Sequence, residues 1–196
     1  MSENQLIYNI DPYLDLIRKE YKSRHPFPVV SKSFLFDVHV WKLNLNTELS
    51  LFILLWLTGA RVREVLEMKG KDIQREVHTL KIHIPGKNER TFEYSMRSKK
   101  IGKYLRILWE WSGSFLDRMY LFREIRETKR WNATVDYLFK SRGIPFPPKR
   151  LRYNRIQIWV KEKRDLQEIF YLAGVNNIQT LSKYLKGYLG MPGCPG

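Results

Sequence analysis

The stretch "LFILLWLTGARVREVLEMK", residues 51–69, decides how the chain is read. Its first seven residues are apolar without a break. Thr58 and Gly59 interrupt them, and a second helical pattern starts at once. A helix apolar on every side belongs in the middle of a domain, and glycine is the usual stop for one. The pattern predicts a buried helix over 46–57, a stop at Gly59 and a second helix over roughly 60–68. Arg61 then falls at the start of that second helix. The helix dipole there favours negative charge and disfavours a cation. An anion beside Arg61 resolves the conflict. Pairing of Arg61 with Glu64 (i,i+3) and of Arg63 with Glu67 (i,i+4) on a solvated face is the plainer alternative.

The bulk of the chain narrows the choice. Its 196 residues suffice for one domain with a real core, and a 43% hydrophobic content argues against disorder. Six tryptophans and eleven tyrosines fit a packed interior. The formal net charge of +15 points to nucleic acid as the first partner and to an acidic membrane surface as the second. Cys194 is the single cysteine, so a disulfide framework and a thiolate metal site are both excluded. His25, His39, His78 and His83 show no metal-ligand spacing. The polar, acidic N-terminus does not read as a signal peptide, and no apolar run reaches the roughly 20 residues that span a bilayer. A soluble, intracellular protein is expected.

The remaining pattern is mostly helical. Residues 10–23 read as a helix with Asp11 as cap and Pro12 at its first position. Pro26 and Pro28 end it, and 29–44 fit an extended arm. From 77 to 97 the period falls to two: "VHTLKIHI", the turn "PGKNER" and "TFEYSM" predict a β-hairpin with Lys87 at its tip. Helical patterns return over 101–142, with breaks near Ser112–Gly113 and Arg130–Asn132. "GIPFPPK" at 143–149 reads as a rigid linker. Helices near 150–163, 165–173 and 177–188 follow. "PPKRLRYNR", 147–155, gathers Lys149, Arg150, Arg152 and Arg155 at a helix start, where cations and backbone N–H groups suit phosphate. Tyr153, Ile156 and Val160 supply a core stripe behind them. Tyr184 lies beside the apolar stripe Ile178, Leu181 and Leu185, a position that by pattern alone suits core packing.

Singly, each of these segments has an ordinary structural explanation. Their order and spacing together resemble the tyrosine recombinase (phage integrase) family. "TGARVREVLEMKGKDI" is similar to that family's first box, "IPGKNERTFEY" to its lysine-bearing hairpin, "KRLRYNRIQIWV" to its second arginine box and "YLAGVNNIQTLSKY" to the box that ends in the nucleophile. Arg152 and Tyr184 are 32 residues apart and Val175 lies nine before Tyr184, spacings that suit the family. The resemblance covers about residues 46–188.

The resemblance implies an α+β fold, mostly α with a small antiparallel β-sheet. It also implies a division into an N-terminal helix and arm (1–45), a catalytic domain (46–190) and a disordered tail (191–196). Tyr184 would attack a DNA phosphodiester, leaving a 3′-phosphotyrosyl link and a free 5′-hydroxyl. Arg61 and Arg152 would clamp the non-bridging oxygens, and Lys87 would protonate the leaving oxygen. Glu64 would support Arg61. No metal, cofactor or small-molecule substrate is implied. The partners would be double-stranded DNA and further copies of the chain, as a tetramer. Lys149 stands where the family carries histidine, a feature shared with divergent integrases of archaeal viruses, for which integration of a viral genome is the expected role. Val175 stands where histidine or tryptophan is usual and offers no hydrogen bond. The residues before 46 are too few for the family's core-binding domain. Lys99, Lys100, Lys103, Arg106, Arg150 and Arg155 are the candidate DNA contacts. A recombinase relative that binds without cutting, a topoisomerase of the same chemistry, and a basic RNA-binding or structural protein are the rival readings.

Overall fold

The structure, a computed structural model, describes residues 9–22, 43–175, 177 and 179–182. The expected extended arm and the tail fall outside these residues, apart from Leu43 and Asn44. So does Tyr184.

Helix α1 (Asp11–Lys22) buries Tyr13, Leu14 and Ile17 against α2 (Leu45–Thr58). Helix α2 is the axis of the domain. Asn44 caps it, its Oδ1 accepting from Thr47 N at 2.8 Å, and every residue from Thr47 to Thr58 is buried. Helix α4 (Gly102–Ser112), helix α7 (Lys149–Lys161) and α1 pack around it, as its apolar circumference requires. Glu48, in the first turn, is buried and takes the guanidinium of Arg142 in a bidentate pair at 2.8 and 2.9 Å. A charge in that position is tolerated because both carboxylate oxygens are occupied.

Gly59 ends α2 in the left-handed conformation, at φ +58°. Helix α3 (Val62–Leu66) follows, shorter than the periodicity predicts. A 3-10 turn at Gly70–Asp72 then leads into a sheet of order β1-β2-β3: β1 (Ile73–Arg75), β2 (Thr79–Ile84) and β3 (Arg90–Ser95), antiparallel throughout. The sequence predicts only the last two strands. Strand β1 is three residues long with one buried side chain, too short to show a period. Strand β3 begins at Arg90, one residue earlier than read, in register with Ile84. Alternation therefore turns Arg90 to the same face as Phe92, and its side chain is completely buried.

The expected breaks after α4 both occur. Helix α5 (Arg123–Arg126) is one turn, and α6 (Trp131–Ser141) starts after Arg130. Helix α8 (Leu166–Ala173) is capped by Asp165 and ends at Gly174, φ +58°. Residues 179–182 are helical. No described helix is long and apolar enough to cross a membrane.

Candidate active site

The site grows out of the C-terminal end of α2. Such an end leaves carbonyls without helical partners, and here the helix's own last residues and other elements together take them. Thr58 Oγ1 donates to Leu54 O at 2.7 Å, Gly59 N to Leu55 O at 3.1 Å, and Tyr94 Oη to Leu57 O at 2.8 Å. Arg155 Nε donates to Trp56 O at 2.8 Å, with its guanidinium 4.8 Å from the Trp56 ring centroid. Arg152 Nη1 donates to Gly59 O at 2.8 Å, and its Nη2 to Ala173 O, at the end of α8, at 2.7 Å. Two helix ends, each carrying partial negative charge, thus fix the Arg152 fork. Arg155 requires a correction: expected among the DNA contacts, it is buried, and it serves the helix end and the Trp56 ring.

Arg61 caps α3, and Glu64 explains how a cation stands at a helix start. Glu64 Oε2 accepts from Arg61 N at 2.6 Å, and its Oε1 from Arg61 Nη1 at 2.9 Å. Arg90 reaches the same carboxylate, Nη2 to Oε2 at 3.0 Å. Burial raises the Glu64 pKa, but the hydrogen bond and charge of Arg90, then those of Arg61, outweigh it and hold it below the ordinary value. The carboxylate stays ionised and offsets the cation at the helix start. The i,i+3 pair proposed as the plainer alternative therefore exists, yet Arg61 remains half exposed and faces two clefts.

The first cleft, about 480 Å³, is lined by Arg61, Lys149 and Arg152 together with Asn132 and Asp136. Lys149 is exposed at the start of α7, so the "KRLR" run does place its lysine and second arginine on one opening. The second cleft, about 760 Å³, is lined by Arg61, Arg63, Glu64, Lys69, Lys71 and Lys87 among others. Both volumes fall within the ~300–1,000 Å³ usual for ligand clefts. Arg61 lines both, so the two openings share a wall. A third groove, with Arg63, Lys129, Arg130 and Trp131, adjoins them through Arg63 and Asn132, and no acidic residue lines it. Arg61, Lys149 and Arg152 thus line the first cleft, and Arg61 and Lys87 the second.

Other expectations fare differently. Val175 is buried in the core and its side chain offers the site nothing. Lys99, Lys100 and Arg106 are exposed but line none of these clefts. Lys103 is ion-paired with Asp11 of α1, whose Oδ1 also accepts from Tyr104 Oη at 3.1 Å. Arg150 is half buried at the start of α7. No group of three metal-ligating side chains occurs among the described residues.

Two residues were missed in the sequence. Arg90 was counted in the turn, although extending the "TFEYS" alternation back by one position turns it inward. Asn88 follows Lys87, and its Nδ2 donates to Gly174 O at 3.0 Å. Arg61 Nη1 reaches the same carbonyl at 3.3 Å. No sequence signal singles out Asn88.

Known structures share this architecture. The site-specific recombinase XerH bound to its difH substrate, in a pre-cleavage complex, matches 97% of this chain and 52% of its own length, with a TM-score of 0.56 and 17% identity. XerH on a palindromic difH substrate, after cleavage, matches 94% and 51% with a TM-score of 0.51 and 16% identity. The XerA recombinase matches 83% and 60% with a TM-score of 0.52 and 21% identity. This chain therefore spans about half the length of the XerH chains. No protein-family model matches the sequence, and a search of curated proteins finds no match. The fold is α+β, mostly helical with a small antiparallel sheet, and it is shared with these recombinase structures.

Proposed function

We propose that the protein cleaves and rejoins DNA through a 3′-phosphotyrosyl intermediate, as a site-specific recombinase of the integrase type. The observation that carries this reading is the meeting of Arg61, Lys87, Lys149 and Arg152, from three separate segments, on two clefts with a shared wall. In this reading the scissile phosphate sits at Arg61 and Arg152, whose planar forks suit its non-bridging oxygens. Tyr184 Oη bonds to phosphorus and gives up its own proton to water. The P–O5′ bond breaks, and Lys87 Nζ donates a proton to the departing oxygen. Lys149 donates a hydrogen bond to the phosphate, in place of the histidine usual at that position. The cationic groove at Arg63, Lys129 and Arg130 offers the flanking strand a path. Double-stranded DNA is the substrate, and a tetramer on two sites is the proposed assembly.

The test is a DNA duplex nicked beside the cleavage site, so that the released fragment diffuses away. Wild-type protein should form a denaturation-resistant adduct and the Tyr184→Phe variant none. Retardation of DNA by both proteins with an adduct from neither supports the second reading, a DNA-binding module that no longer cuts. Burial of Val175 where the family has a donor favours that second reading. Relaxation of supercoiled plasmid without recombinant product would assign the same chemistry to a topoisomerase.

A further inference from the structure

Lys87 is exposed at the tip of the β2–β3 hairpin and makes no hydrogen bond or ion pair of its own among the described residues. Its neighbour Gly86 has φ +124°, and a Cβ placed on it would meet nothing within 4 Å. A flexible side chain on a five-residue loop is a poor donor unless something holds the loop, because proton transfer demands hydrogen-bond distance. Among the described residues the holding contacts are made by the next residue. Asn88 Nδ2 donates to Gly174 O at 3.0 Å, and Asn88 O accepts from Arg90 Nη1 at 3.1 Å. Arg90 holds Glu64, Glu64 holds Arg61, and Arg61 Nη1 returns to Gly174 O at 3.3 Å. The chain of contacts closes into a ring: Asn88, Arg90, Glu64, Arg61 and Gly174. The residue beside the proposed acid is thereby tied to the arginine at the proposed phosphate site. The ring also includes the backbone of the segment that runs on towards Tyr184.

We infer that Asn88 is a positioning residue for Lys87: its bond to the Gly174 carbonyl locks the hairpin tip so that Lys87 meets the leaving 5′-oxygen in step with Arg61. The inference rests on the strand-transfer reading above. Asn88 touches no DNA in this account. Its contribution passes wholly through the proton that Lys87 delivers.

A leaving-group experiment separates this role from simple support of the fold. Two nicked duplexes are compared, one ordinary and one with sulfur in place of the bridging 5′-oxygen. A thiolate is a far weaker base than an alkoxide and departs without a proton. Asn88→Ala, and the isosteric Asn88→Asp, which replaces the donor with an acceptor, should slow adduct formation on the ordinary duplex about 10- to 100-fold, the usual penalty for a misplaced catalytic group. Both should cleave the sulfur duplex at the wild-type rate, as should Lys87→Ala. Equal losses on the two duplexes, or no loss on either, overturn the inference, with thermal melts showing whether the variants are folded. No adduct from wild-type protein on either duplex overturns the strand-transfer reading itself, and this inference falls with it.

Discussion

Arg90 is wholly buried, and its Nη2 lies 3.0 Å from Glu64 Oε2. This contact ties the inward face of the hairpin to the helix that presents Arg61. Removing one partner strands the other's charge in a place with little water. Glu64→Ala should therefore cost about 3 kcal/mol, the low end for a broken buried pair, since Glu64 keeps some exposure. Replacing both, as Glu64→Leu with Arg90→Met, should recover much of that stability but not adduct formation. Urea unfolding of the single and double variants measures it. Recovery of adduct formation in the double variant would show the pair to be irrelevant to the site.

The same pair makes the fold sensitive to acid. The Glu64 pKa is lower in the folded protein than in the unfolded chain, where it is about 4.3. The unfolded chain thus takes up the proton first as pH falls. The stabilisation is fully present above the unfolded value and is lost as pH drops through the folded one. The gap in unfolding midpoint between wild type and Glu64→Gln should stay constant from neutral pH to about pH 5 and narrow below that. A gap independent of pH down to 3 would refute the assignment.

Gly143 and Gly174 both have positive φ, but only one is crowded. A Cβ on Gly143 meets nothing within 4 Å, whereas one on Gly174 would stand 2.6 Å from Arg90 Nη1. Gly143→Ala should cost only the backbone strain, about 1–2 kcal/mol. Gly174→Ala should cost more and also lower adduct formation, because Arg90 must shift. Paired melts and adduct assays distinguish the two substitutions.

Two groups of basic residues are candidates for the proposed DNA contact. One comprises Lys99, Lys100 and Arg106, and the other Arg63, Lys129 and Arg130 beside the clefts. A lysine or arginine that contacts phosphate contributes about one unit to the slope of log affinity against log salt. Arg63→Ala, Lys129→Ala and Arg130→Ala should each reduce that slope. Loss of slope only from changes at Lys99, Lys100 and Arg106 would move the DNA to the other face. Lys103→Ala should change it least, since that side chain is already paired with Asp11.

The sequence revealed what local pattern can carry. The all-round apolar run at 46–57 marked the central helix, and Gly59 its end. Period-two alternation marked the hairpin, and the cationic "KRLR" run marked the start of α7. What it hid were side chains whose purpose depends on distant partners. Arg155 looks like any other cation of a basic helix until Trp56 and its carbonyl are placed beneath it. Asn88 looks like an ordinary turn residue until Gly174 O stands 3.0 Å away. Strand β1 is too short for any period to show, and the 3-10 turn before it relies on Asp72 capping Lys69 N. Tyr184 stands out only through the likeness of "YLAGVNNIQTLSKY" to the family's nucleophile box and its spacing from the other boxes, and it lies outside the described residues.

The terminal carbonyls of α2 have a last consequence. Arg152, Arg155 and Tyr94 reach the same helix end from α7 and β3, so the pocket borrows its rigidity from the interior instead of building a scaffold of its own. Warming that loosens this end would disperse the proposed phosphate clamp as it loosens the core. Function and foldedness should then fade along a single thermal curve, with no temperature at which an intact molecule has already lost its grip.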